Sequence, residues 1–172
     1  MKAAKRYPFI ALQQQRFTLH FDNQSSAHNI PSEQQFYRWM WQTLKAEYRR
    51  ADISLLLLNE DAARTYNRDY RNKDYATNVL SFALDEGEAV FAPPFSDGLH
   101  GDIIICPQVV LKEAAEQGKT PEAHFAHLAI HGTLHLMGYD HQEEAEAAAM
   151  EATEQQLMRQ LAYPDPYAQD AH

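Results

Sequence analysis

The residue types best suited to chemistry crowd into one stretch, His131-Gly132-Thr133-Leu134-His135-Leu136-Met137-Gly138-Tyr139-Asp140-His141. Five of the chain's nine histidines lie between His124 and His141. On a helix, positions i and i+4 stand one turn apart on the same face. His131 and His135 then project side by side as a chelating pair. Such a pair alone is common on helix surfaces, so the third histidine decides the reading. Gly138 can take the left-handed conformation that ends a helix. The chain then turns back and brings His141 to the same point. Three neutral imidazoles suit one zinc ion per chain, and a fourth position stays open for water or substrate. Cys106, the only cysteine, is remote in sequence, which argues against a closed Cys-rich zinc site. His124 and His127 fall on the same helical stripe and read as supporting or core groups rather than ligands.

A three-histidine zinc with an open position points to hydrolysis. The spacing H-x3-H-x5-H is that of metzincin-type metalloproteases, in which the residue after the first histidine is a glutamate base. Gly132 stands there instead, and glycine has no proton acceptor. A second cluster is basic: Arg64, Arg68, Arg71 and Lys73. The chain carries a net charge of −9, but residues 1–82 hold 12 Lys/Arg against 8 Asp/Glu, and all later segments are acidic. That asymmetry allows a local anion-binding face on an acidic protein.

The elements that must position these groups follow from periodicity and punctuation. With 172 residues, 45% of them hydrophobic, the chain has enough length for one sizeable core. Residues 1–16 read as an N-terminal arm and 17–172 as a single hydrolase domain. Phe17 to Phe21 alternates as a half-buried strand. Ser32 caps a helix whose apolar stripe is Phe36, Trp39, Met40, Thr43, Leu44 and Tyr48, with Arg49-Arg50 at its end. Ile53 to Leu58 is a central strand. Asn59 caps a helix running to about Tyr70, and a polar turn leads into a strand over 78–84. Residues 85–98 form a long loop, and Leu99 to Cys106 is a fourth strand. Pro107 and Thr120-Pro121 open two more helices, the second carrying the histidines. Gln142 to about Ala162 forms the last helix, with Met150, Leu157, Met158 and Leu161 as its apolar positions. The expected fold is α+β: a small mixed sheet of about four strands with about five helices, the zinc helix packed on the sheet. No run is long enough to cross a bilayer, no signal peptide is evident, and a cytosolic protein is the default.

The histidine stretch resembles the signature of the YbeY-type rRNA maturation endoribonucleases. Two further segments agree, Tyr70-Arg71-Asn72-Lys73-Asp74-Tyr75-Ala76-Thr77-Asn78-Val79-Leu80-Ser81-Phe82 and Gly101-Asp102-Ile103-Ile104-Ile105-Cys106. The resemblance spans roughly Phe17 to Tyr167. It implies a single-strand-specific, zinc-dependent endoribonuclease acting in 16S rRNA 3′-end maturation and ribosome quality control. It implies His131, His135 and His141 as zinc ligands and Arg71 as the functional arginine beside the cleft. Lys73 is the further candidate for contact with a backbone phosphate. Expected partners are single-stranded rRNA precursor, the small ribosomal subunit and an assembly GTPase, with no membrane. Asp102 and Asp140 are given no catalytic role. Water attack, leaving a linear phosphate, and 2′-OH attack, leaving a cyclic one, both stay open. Competing readings are an assembly factor whose zinc is mainly structural and, disfavoured by Gly132, a metalloprotease.

Overall fold

The structure, a computed structural model, describes residues 16–84 and 98–168. The arm, apart from Arg16, and the loop over 85–98, apart from Gly98, lie outside the described residues. Four strands, β1 (Arg16–Asn23), β2 (Arg50–Leu57), β3 (Val79–Ala83) and β4 (Leu99–Ile105), form one sheet in the order β1-β2-β4-β3. β1 and β2, and β2 and β4, pair in parallel, while β3 runs antiparallel along β4. Five helices complete the described chain: α1 (Glu33–Leu44), α2 (Glu60–Arg71), α3 (Pro107–Gln117), α4 (Pro121–Leu136) and α5 (Glu144–Gln160).

The alternation in β2 separates the two faces of the sheet. Ala51, Ile53, Leu55 and Leu57 are buried and share the main core with Ile103 and Ile105 of β4, with Phe36, Trp39 and Met40 of α1, and with Phe125, Ala126, Ile130 and Leu134 of α4. Each large aliphatic side chain so buried contributes about 1.5–3 kcal/mol relative to exposure. On the other face a smaller cluster, Leu58, Ala63, Leu80, Ile104 and Cys106, sits beneath α2. The histidine helix α4 is therefore the central helix of the larger layer, buried along most of its length.

Local signals set most boundaries. Ser32 and Gln35 close a reciprocal capping box at the start of α1, satisfying N–H groups that a helix start leaves orphaned. Thr120 accepts from the Ala123 N–H at the start of α4. Two expectations are corrected. α1 ends at Leu44, and Arg50 opens β2 rather than closing the helix, because the chain must turn back to pair alongside β1. Asn59 does occupy the N-cap of α2, yet its side chain makes no cap bond. Its oxygen instead accepts from Ser26 and from Gln108, joining two loops to the start of α3.

Candidate metal centre

α4 stops at Leu136, and Gly138 follows with φ +100°. That left-handed backbone favours glycine. The Gly138 and Tyr139 N–H groups return to the His135 and Leu134 carbonyls at 3.1 and 3.0 Å. The turn so formed carries His141 back over the helix end. The His131 and His135 rings lie 4.6 Å apart, and His141 lies 5.9 Å from the first and 5.0 Å from the second. One ring nitrogen from each comes within 4.8 Å of the others. The Nε2 atoms of His131 and His135 are 3.1 Å apart, close to the ~3.3 Å edge of a tetrahedron with zinc–nitrogen bonds of about 2.0–2.1 Å. Burial, helped by the neighbouring His131 and His141, pushes His135 down to about 4. Its imidazole is thus neutral at physiological pH, the form that binds a metal. Donor type, number and spacing all fit a zinc ion.

These histidines form the floor of a cleft of about 670 Å³, and Arg71 and Lys73 line it with Tyr75, Asn78, Ser81 and Tyr139. The turn after α2 aims the basic pair. Asn72, at φ 58°, ends the helix directly after Arg71. Asn67 holds the turn through the Tyr75 carbonyl at 2.8 Å, and Arg64 grips Asp74 with two bonds of 2.7 and 2.9 Å. Arg64 is therefore spent on structure, and Arg68 pairs with Asp69. Arg71 instead donates to the neutral Ser81 carbonyl at 2.8 Å and lies over the Phe82 ring. Among the described residues no carboxylate pairs with it, and its planar donors line the cleft. Asp140 accepts from the His141 backbone N–H and shapes the turn.

The structure also accounts for Gly132. β3 crosses α4 at this point, and Ser81 donates to the Gly132 carbonyl at 2.9 Å. A Cβ on Gly132 would meet Ser81 Oγ and Val79 Cγ2 at 3.1 Å and Ile103 Cγ2 at 3.3 Å. The position that carries a glutamate base in metzincins faces a packed strand here, with no space for such a side chain.

One residue of the centre was not foreseen. Glu154 of α5 is 1% exposed, and one of its oxygens lies 3.3 Å from His131 Nδ1. The other meets His127 Nε2 and the Tyr167 hydroxyl. Burial alone raises the Glu154 carboxyl, but the hydrogen bonds from His127 and His131 outweigh it and hold it down at about 2. The signal was present in the sequence. Glu154 lies one turn from both Met150 and Met158, on the apolar stripe of α5, where a carboxylate is out of place unless it has partners. His127, His131 and Glu154 form a second, sealed group able to hold an ion, overlapping the first at His131.

Comparison with known proteins gives a consistent answer. The family model of endoribonuclease YbeY matches residues 20–162. The endoribonuclease YbeY of Neisseria gonorrhoeae (strain ATCC 700825 / FA 1090) is 67% identical over 172 residues, all of both chains. Its counterpart in Neisseria meningitidis serogroup B is 68% identical over 170 residues, 99% of this chain and 100% of that one. That of Chromobacterium violaceum is 47% identical over 170 residues, 99% of each. The solution structure of TM1509 from Thermotoga maritima shares the fold, with a TM-score of 0.55 at 23% identity, covering 87% of this chain and 98% of that one. With the helix–turn that gathers three histidines, the arginine beside them and a match over nearly the whole chain, this protein belongs to the endoribonuclease YbeY family.

Proposed function

We propose that the chain cuts single-stranded RNA with one zinc ion held by His131, His135 and His141, and that Arg71 binds the phosphate being cut. Family membership makes it an endoribonuclease. The observation that carries the finer reading is the convergence of the three imidazoles on the floor of a cleft whose wall presents Arg71. When bound, zinc supplies Lewis-acid polarisation of a phosphate oxygen or of water.

The remaining work falls to side chains. Arg71 offers planar, permanently charged donors to a phosphate and to the charge that develops on it. Its bond to the Ser81 carbonyl fixes the direction of approach. Lys73, on the same wall, suits a neighbouring phosphate as a simple point charge. Tyr75, 53% exposed at the cleft wall, offers a ring on which an unpaired base can stack. Such stacking requires a base free of its helix, which favours single strands over duplex. With position 132 closed by β3, the residue after the first histidine supplies no proton acceptor. RNA tolerates this better than a peptide does, since it carries its own 2′-OH nucleophile. The physiological substrate in this reading is the rRNA precursor of the small ribosomal subunit, met in the cytoplasm, with the subunit and an assembly GTPase as partners. No helix among the described residues is long and apolar enough to cross a membrane.

The test is a side-by-side digestion of labelled single-stranded RNA, duplex RNA and an unfolded protein, with and without chelator. The expected result is chelator-sensitive cleavage of the single strand alone, with end-group analysis separating linear from cyclic phosphate. Proteolysis without RNA cleavage would overturn the reading. Neither activity, with tight binding to small ribosomal subunits, would establish the assembly-factor alternative instead.

A further inference from the structure

We infer that Glu154, backed by Tyr167, is a positioning group that locks the tautomer of His131 and thereby sets the metal affinity of the cleft; this rests on the zinc reading above. A neutral imidazole carries one N–H, and the group facing that hydrogen decides which nitrogen keeps its lone pair. His131 Nδ1 faces Glu154 Oε1 at 3.3 Å, while its Nε2 faces His135 in the cleft. A carboxylate has no hydrogen to donate, so the proton of His131 is held on Nδ1. The Nε2 lone pair is left pointing at the convergence of the three rings.

The carboxylate itself is held from three sides. His127 Nε2 and the Tyr167 hydroxyl meet Oε2, the latter at 2.9 Å, and His131 meets Oε1. That many donors offsets the cost of an ionised carboxylate that is 1% exposed. The same donors account for this carboxylate without a second ion between His127, His131 and Glu154. Tyr167 lies just past the family model's match to residues 20–162, within the span over which the relatives align. The segment that carries it returns to the back of the centre. Lys119 Nζ donates to the Pro166 carbonyl at 2.7 Å, and the Tyr167 ring stands edge-on to His127 at 5.4 Å. The segment after α5 thus completes the support of a candidate ligand.

The experiment reads the tautomer directly. Long-range proton–nitrogen correlation on full-length, metal-free protein with 15N-labelled histidine, at slightly alkaline pH, should show His131 as the Nδ1–H form. Finding the Nε2–H form in the wild type would overturn the inference without any variant. Glu154→Gln offers a single acceptor oxygen for three donors. It should shift His131 toward a mixture of tautomers and weaken zinc binding ~10–100-fold in competition with a chelator. Tyr167→Phe removes one donor near the chain end and should weaken zinc a few-fold at unchanged stoichiometry. Unchanged tautomer and affinity in Glu154→Gln would sink the inference. Two ions per wild-type chain would also sink it, by making Glu154 a ligand. Wild-type protein that binds no zinc, with His131 in the expected tautomer, would instead sink the zinc reading and leave the tautomer lock standing.

Discussion

His124 and His127 occupy the first half of α4, and His131 and His135 its second half, on the same helical stripe with the same side chain. The first two are 4% and 8% exposed, and each faces a carboxylate from another helix, Glu113 of α3 and Glu154 of α5. The second two face one another and His141 at the floor of an open cleft. What packs opposite makes the difference. Where a helix brings a carboxylate, the imidazole becomes a donor in a sealed polar contact. Where a turn brings a third imidazole and the cleft opens, the lone pairs converge. His131 belongs to both sets, one nitrogen in each.

The sharpest way to break this division is to remove one histidine from each set. His135→Ala should abolish stoichiometric zinc binding, a loss well beyond the ~10–100-fold that outer partners are worth, and RNA cleavage should go with it. His124→Gln should keep its zinc. Equal losses in both, measured by metal analysis after dialysis, would dissolve the distinction.

Arg71→Ala comes next in size. Removing a donor aimed at developing charge typically costs about 10²–10³-fold in rate. Single-stranded RNA cleavage should fall by that order while zinc content stays at the wild-type level. Stability should move by only about 0.5 kcal/mol, as for most surface changes. A variant that cleaves normally would return Arg71 to the role of its neighbours Arg64 and Arg68, which are paired with aspartates.

Gly132→Ala probes the side of α4 that faces the sheet between the two sets. Its Cβ would press on Ser81 and Val79 at 3.1 Å, and overpacking of that kind costs about 1–3 kcal/mol. Urea unfolding should show the loss. Unchanged stability would mean that β3 yields easily there, and that Gly132 is not held by packing.

The smallest effect is on pH dependence. Burial pushes His124 below the ordinary histidine value of 6.5, against the pull of Glu113 and with help from His127 and Lys119. The unfolded chain therefore binds this proton at a higher pH than the folded one. Stability from this source is unaffected well above 6.5 and declines as the pH falls below it. Denaturation at a series of pH values should show that slope, and His124→Gln should flatten it. A steeper slope in the variant would place His124 among the groups that gain from protonation.

The sequence by itself determined the features that depend on near neighbours. The i, i+4 pair, the glycine turn that returns His141, the caps at Ser32 and Thr120, and the apolar period of the strands and helices are local consequences of side-chain type and backbone geometry. They were enough to draw the sheet, the five helices and the three-histidine cluster. Arg71 was legible only through its resemblance to a family pattern, since charge alone did not separate it from Arg64 and Arg68. Tertiary structure decided which arginines are spent on aspartates and which one faces the cleft. It decided that Gly132 is a contact with β3, 51 residues away between Ser81 and Gly132. It also decided that Glu154 and Tyr167 stand behind His131. Hydrogen bonds to a buried carboxylate join α4, α5 and the segment that follows, and no local period records such a meeting. Only the packing of the helices brings those donors to one oxygen pair.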